Sequence, residues 1–299
     1  MKRAVSISIG SSKRDKAVEI TLLGERVRIE RIGTDGDMKK AAALYTEMDG
    51  KVDAFGVGGA DLGLLVDGKW YPLHSVQFMI EGVKKTPVVD GAGLKNTLEG
   101  RLAQFIDEHI RDAVPVRRVL MTGGADRWGM SMSFLKAGYE CIFGDLIFAL
   151  GIPIPLRSAR AVKTLAAIIM PIAGRLPFAW VYPIGEKQEK RTPKWGNYYA
   201  WAGVIAGDAH YIKRYMPDRL DGKIIATNTT TEEDVELFRQ AGVRYLVTST
   251  PRLEGRSFGT NMMEAALVAV AGKGRPLTHD ELKDMLARLR MEPQLQQLN

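Results

Sequence analysis

Residues 4–9 alternate apolar and polar side chains, the period-two pattern of a strand. The alternation resumes over 18–32 and breaks near Gly24 and Glu25, which predicts a hairpin. Asp37 is placed to cap a helix over 37–48, with Met38, Ala41, Leu44, Tyr45 and Met48 on one face. A strand at 52–57 runs into Gly58 and Gly59. Asp67 and Gly68 then divide 62–66 from 69–73 as a second hairpin, the strongest short turn signal in the chain. A helix near 75–83, a strand and glycine-rich turn at 86–93, and an amphipathic helix at 97–110 close this first stretch.

A short polar step with Pro115 marks a boundary at 111–115. Beyond it, strands are expected at 116–121, 141–144, 178–182, 204–206, 223–227 and 245–248. Helices are expected at 130–136, up to 172, at 231–241, 261–271 and 279–290. Alternation of this kind predicts an α/β protein: an amino-terminal α/β substrate-binding domain (1–112), a Rossmann-like doubly wound parallel sheet (113–255), and C-terminal helices (256–299) returning toward the first domain.

Composition narrows the function. In 299 residues, 45% apolar and 26% charged side chains fit a globular two-domain chain and exclude a disordered or fibrous one. Lys plus Arg exceed Asp plus Glu by 42 to 35, a formal charge of +7, which suits small anions. The single Cys141 excludes an internal disulfide, and the four histidines stand too far apart for a metal site. Residues 165–185 carry only Arg175 as a charge, but Pro171, Pro177 and Pro183 interrupt them, so no membrane span is expected. The apolar start is too short for a signal peptide, and a cytoplasmic location is expected. The basic, aromatic insert 187–199 lacks any nucleic-acid motif. It reads as a lid or a subunit contact, which leaves a homo-oligomer open.

The most informative segment is the strand 116–121 running into Gly123, Gly124 and Gly129, where a helix opens. A turn of this kind can place backbone N–H groups against a pyrophosphate, with Arg127 as a nearby cation. Asp145, at the tip of the next strand, is then positioned for an adenosine ribose. Its charge suits NAD, whereas Arg157 and Arg160 would suit the 2′-phosphate of NADP. The spacing departs from G-x-G-x-x-G, and Asp126 puts a negative charge inside the turn. The alternative is a glycine turn used only for packing. Lys95 with Asp90 is a candidate proton-transfer pair. Ser11 and Ser12, Asn96 and Thr97, and Arg256 and Asn261 are candidates for holding substrate, although Thr97 and Asn261 could equally serve as helix caps. His210, beside Asp208, is a further acid/base candidate.

The segments 6–14, 33–37, 49–53 and 87–95 resemble a bacterial group named quinate 5-dehydrogenase, distantly similar to the shikimate and quinate dehydrogenases. That resemblance implies a substrate domain, a Rossmann domain and a returning helix, to which 259–267 is similar. It also implies a Ser-x-Ser carboxylate site, for which Ser6, Ser8, Ser11 and Ser12 are the candidates, and a catalytic lysine. The family's N-V-T-x-P-x-K segment is absent, so Lys95 stands in a different motif and Asp90 takes the aspartate role by position. The expectation is an NAD(P)-dependent oxidoreductase acting on a small, hydroxylated, anionic substrate. Two alternatives stand beside it: a non-catalytic nucleotide or metabolite sensor, and an S-adenosylmethionine-dependent transferase.

Overall fold

The computed structural model describes residues 1–177, 191–250 and 259–299, and the backbone alone at 252–253 and 256–257. The expected strand at 178–182, the start of the basic insert and the Arg256 side chain lie outside the described residues. The protein is α/β, with two mainly parallel sheets.

The first sheet is built from β1 (Lys2–Ser8), the hairpin β2 (Lys16–Leu22) and β3 (Glu25–Gly33), then β4 (Ala54–Gly58) and β7 (Val88–Val89), in the order β2-β3-β1-β4-β7. Only the β2–β3 pairing is antiparallel. Its turn places Leu23 and Gly24 at positive φ, the conformation that a two-residue hairpin loop requires. A second such turn, at Asp67 and Gly68, joins β5 (Gly63–Val66) to β6 (Lys69–Pro72). Alternating residues of β1 feed two cores. Val5 and Ile7 meet α1 (Met38–Met48), whose Ala41 and Tyr45 are fully buried. Ala4 faces the opposite side, where the C-terminal helices pack. The short helix α2 (His74–Gln77) and a single 3₁₀ turn at Phe78–Ile80 stand where one longer helix is expected.

Next come α3 (Ala92–Glu99) and α4 (Leu102–Ile110), and then the second sheet. This sheet comprises β8 (Arg118–Met121), β9 (Glu140–Phe143), β10 (Val204–Ala206), β11 (Ile224–Thr227) and β12 (Tyr245–Thr248), all parallel, and an antiparallel edge strand, β15 (Gln294–Gln297). Its order is β15-β12-β11-β10-β8-β9. The intervening helices are α5 (Trp128–Lys136), α6 (Ala159–Ala173), α7 (Gly196–Trp201), α8 (Ala209–Tyr215) and α9 (Glu232–Gln240). Both faces are apolar: Val119 and Met121 enter one core and Leu120 the other, which is the mark of a doubly wound sheet. A short antiparallel pair, β13 (Arg252–Leu253) with β14 (Arg256–Ser257), precedes the last helices.

Three features of connectivity position the site. First, α4, which the sequence pattern assigns to the first domain, buries Leu102, Ala103 and Ile106 in one core with Val119 and Met121 of the second sheet and Phe134 of α5. Second, α10 (Thr260–Ala271) is buried nearly all round and completes the first core, with α11 (His279–Arg288) beside it. Third, α3 and α5 cross closely. A Cβ on Gly129 would lie 2.5 Å from the Asn96 carbonyl oxygen. The Gly129 amide instead donates to Asn96 Oδ1 at 3.0 Å. Gly129 is therefore a helix-crossing residue and does not approach a phosphate. Among the described residues, no helix is long and apolar enough to cross a membrane.

An unhindered glycine in a helix usually gains about 0.5–1 kcal/mol on replacement by alanine. Gly129→Ala should instead lose about 1–3 kcal/mol, because backbone must move to admit the methyl group. Urea unfolding midpoints of the two proteins check the sign.

Candidate functional site

In an open parallel sheet, ligands gather beyond the carboxyl ends of the strands, where strand order reverses. Here that point lies between β8 and β10, whose ends carry Gly123 and Asp208. The first sheet brings the loop after β4, with Asp61, to the same place, and α3 brings Lys95. The Lys95 ammonium donates to Asp126 Oδ1 at 2.8 Å, and Asp61 Oδ2 stands 3.7 Å away. The Lys95 side chain is only 9% exposed, while those of Asp126 and Asp61 reach 34% and 24%. The cluster is thus buried at the lysine and partly exposed at the two aspartates.

Behind it stands Arg127. Its guanidinium pairs with Glu99 of α3, with Asp208 at the start of α8, and through Nε with Asp126 Oδ2 at 3.1 Å. Asp208 also accepts from the His210 amide at 2.9 Å and from Asn228 Nδ2 at 3.2 Å. Burial pulls the Lys95 pKa down, but Asp126 and Asp61 outweigh it and raise the lysine above its ordinary value. Burial would raise Asp126, but Lys95 and Arg127 outweigh it and hold the carboxyl well below the usual range. At neutral pH the pair is an ammonium beside a carboxylate. It can present a proton to a ligand oxygen, but it cannot take one up.

The residues singled out in the sequence fall into different roles. Lys95 lies in this cluster, but its hydrogen-bond partner is Asp126, not Asp90. The Asp90 carboxylate accepts from the amides of Leu62 (2.8 Å) and Ala92 (2.9 Å), an anchor for its own turn. Burial, with Asp61 nearby, raises its pKa. Asp145 is likewise engaged. Its two carboxylate oxygens accept from the amides of Gly124 (3.0 Å) and Ala125 (2.8 Å). The amides expected to face a pyrophosphate thus face an internal carboxylate, and that carboxylate is not available to a ribose. The other expected cofactor contacts are engaged too: Arg127 in its ion cluster and Gly129 against Asn96. A dinucleotide therefore does not fit this turn as it stands. Arg157 reaches Glu140 at 3.4 Å on an exposed surface, and Arg160 and His210 are exposed.

The substrate candidates are also spent on folding. Ser11 Oγ accepts from the Lys13 amide in a short turn, and the Ser12 amide donates to Asp35. Asn96 bridges Ala92 and Gly129. Thr97 Oγ1 donates to the Gly93 carbonyl and meets His279 Nδ1, both at 2.8 Å. Asn261 Nδ2 donates to Ser6 Oγ at 2.6 Å. Among the described residues, no group of acids, histidines or cysteines is arranged to hold a metal ion.

Sequence reasoning missed Asp61, Glu99 and Glu264, and took Asp126 for an awkward charge. For Glu264 the signal was present: one acid inside the otherwise apolar run 262–269. It is 3% exposed, and it accepts from the Leu94 amide at 2.9 Å, fixing the first turn of α3.

Residues 93–298 match the family described as Domain of unknown function (DUF8754). The chain belongs to that family. Residues 3–90 match a second family, Domain of unknown function (DUF8753). The two DUF matches therefore meet just ahead of α3. No curated protein matches the chain. Among solved structures, an NAD-dependent malic enzyme from Thermotoga maritima is 14% identical, covering 96% of this chain and 76% of that one, with a TM-score of 0.41. A malic enzyme from Entamoeba histolytica is 10% identical over 86% and 53% of the two chains, with a TM-score of 0.40. A periplasmic ribose ABC transporter protein from Conexibacter woesei is 11% identical over 97% of each, with a TM-score of 0.39. Likenesses of this size carry no argument about chemistry.

Burial lifts the Glu264 carboxyl to about 7, despite the hydrogen bond from Leu94 and with Asp90 adding to the rise, against an ordinary value of 4.5. The folded protein therefore holds a proton that the unfolded chain has released between pH 4.5 and 7. Stability contributed by this group is complete below that window, falls as pH rises through it, and is flat above. Glu264→Gln should remove a fall of order 3 kcal/mol between pH 4.5 and 8. Urea unfolding of both proteins at the two pH values reads the difference, and parallel pH profiles would refute the assignment.

Proposed function

We propose that the protein recognises a small hydroxylated or carbonyl-bearing metabolite in the cleft between its sheets and holds no resident dinucleotide there. The observation that carries this reading is the Lys95–Asp126 pair. Helix α3 supplies an ammonium, and the turn after β8 fixes it with a carboxylate at the switch point of the second sheet. An ammonium has three donors. One goes to Asp126, and a ligand oxygen entering from the exposed edge would meet another. Asp61, Asp126, Asp208 and Glu99 outnumber Lys95 and Arg127 in this cluster, so a neutral hydroxyl or carbonyl is favoured over a carboxylate.

A second reading is NAD(P)-dependent oxidation of a quinate- or shikimate-like CH–OH group, as the sequence resemblance implies. The same ammonium, held across the switch point, favours it, since it would hold the product carbonyl oxygen. That reading requires Asp145 to leave the turn amides. Methyl transfer from S-adenosylmethionine needs Asp145 on a ribose and meets the same obstacle.

Unfolding stability measured with myo-inositol, quinate, shikimate, NAD, NADP and S-adenosylmethionine separates these readings. A ligand at a hundred times its dissociation constant adds about 2.7 kcal/mol. The expected result is a shift with a hydroxylated metabolite alone. Lys95→Met should weaken that binding roughly 10- to 100-fold, the loss of one hydrogen bond from a charged donor worth about 1.5–3 kcal/mol. A shift with NAD or NADP alone, or undiminished binding by Lys95→Met, would overturn the proposal.

A further inference from the structure

The last two strands of the second sheet, β12 and β15, pair in a register that sets Thr248 opposite Gln294 and Leu246 opposite Gln296. Those four residues line a cavity of about 160 Å³, together with Thr229 and Thr230 after β11, Val235 of α9, Leu295 and Thr250. We infer that this cavity is a binding site for a small neutral polyol.

Size and lining set the ligand class. The volume is well below the ~300 Å³ at which pockets for drug-sized ligands begin, so the occupant is small. Four threonine hydroxyls and two glutamine carboxamides border the space, and among the described residues no charged side chain does. A hydroxyl and a carboxamide each donate and accept. The matching occupant is uncharged and carries groups that do both, as a polyhydroxylated carbon chain does. Val235, Leu246 and Leu295 offer apolar contact to its C–H faces. A phosphate or carboxylate would give up its hydration for a wall without a cation.

Thr250 is the residue that calls for a ligand. It is 5% exposed, and its hydroxyl has no hydrogen-bond partner among the described residues. Buried hydroxyls are ordinarily paired. Thr227, fully buried on the neighbouring strand, follows that rule, since its Oγ1 donates to Asn228 Oδ1 at 3.0 Å. The backbone leading to Thr250 is held: the Thr250 amide donates to the Asn228 carbonyl at 3.2 Å, and the Ser249 amide to the Thr227 carbonyl at 2.9 Å. The hydroxyl is thus kept at the border of the cavity, where a ligand hydroxyl would supply its partner. β12 and β15 form the edge of the sheet beyond β11, away from the switch point between β8 and β10. None of the residues in the Lys95 cluster lines the cavity. The inference therefore does not rest on the reading of that cluster.

The test is titration of the full chain with erythritol, followed by backbone amide NMR. The Thr248, Thr250 and Gln296 amide signals should move and saturate at millimolar concentrations. 1-Butanol, which has the same carbon length but one hydroxyl, and inorganic phosphate should leave them in place. Thr250→Val keeps the shape and removes the hydroxyl, and it should weaken erythritol binding about three- to tenfold, the loss of one neutral hydrogen bond. If that variant does not fold, Thr248→Val carries the same expectation. Lys95→Met should show the same erythritol shifts at these amides as the wild type, so the two proposals can fail separately. Wild-type signals that stay in place with erythritol or move equally with butanol or phosphate would overturn the inference, as would undiminished binding by folded Thr250→Val.

Discussion

The placement of the two sheets depends on Arg127. Its side chain is 8% exposed and stands among Glu99, Asp126 and Asp208, of which Glu99 has no exposed surface at all. A carboxylate so buried would be ruinous without a charged partner, and removing one member of such a pair typically costs about 3–5 kcal/mol. Arginine suits the role because its planar fork can serve several oxygens and cannot be deprotonated. Helix α3 must therefore dock where Glu99 reaches the guanidinium. That docking sets the close crossing at Gly129, the Asn96–Gly129 hydrogen bond and the delivery of Lys95 into the cleft. The cluster then has more carboxylates than cations. That excess holds Lys95 protonated against the pull of burial.

The fold was legible wherever local chemistry decides structure. The turn at Asp67–Gly68 requires residues that tolerate positive φ, and the sequence places them between alternating segments; the first hairpin turns one residue earlier than expected, with Leu23 rather than Glu25 beside Gly24. Thr231 caps α9 reciprocally with Asp234, as the run of hydroxyls and acids there predicts. The edge strand β15 was not legible, because Gln294, Gln296 and Gln297 show no apolar alternation. The pairing comes from β12 alone. The helix break after Gln77 was equally hidden in an apolar run.

The contacts of the candidate residues were not legible. Two glycines followed by a third near a helix start fit a phosphate cradle, a carboxylate-capped turn and a helix crossing equally well. Here Gly124 serves the second and Gly129 the third. What separates them is the position of Asp145 and Asn96 in space, and one sequence does not contain that. Lys95 was singled out as the partner of Asp90 in a proton-transfer pair, and its partner is instead Asp126. Asp126 was misjudged because its partner comes from 31 residues earlier, on a different helix.

The pattern of carboxylates explains why the overall charge of +7 is a poor guide to the cleft. Helix starts at the carboxyl edge of a parallel sheet carry partial positive charge and ordinarily attract anions. In this chain their amides are occupied from inside, by Asp90 and Glu264 at α3, Asp145 at the turn before α5 and Asp208 at α8. Each acid contributes local order and removes a backbone donor that a phosphate or carboxylate ligand would use. Beyond about 8–10 Å, surface lysines and arginines are screened by salt and cannot restore that attraction. The donor presented to a ligand at the cleft edge is then an ammonium flanked by carboxylates. On the proposed reading such a group favours a neutral oxygen, because a second negative charge would have to compete with Asp126 and Asp61 for the same proton-bearing nitrogen.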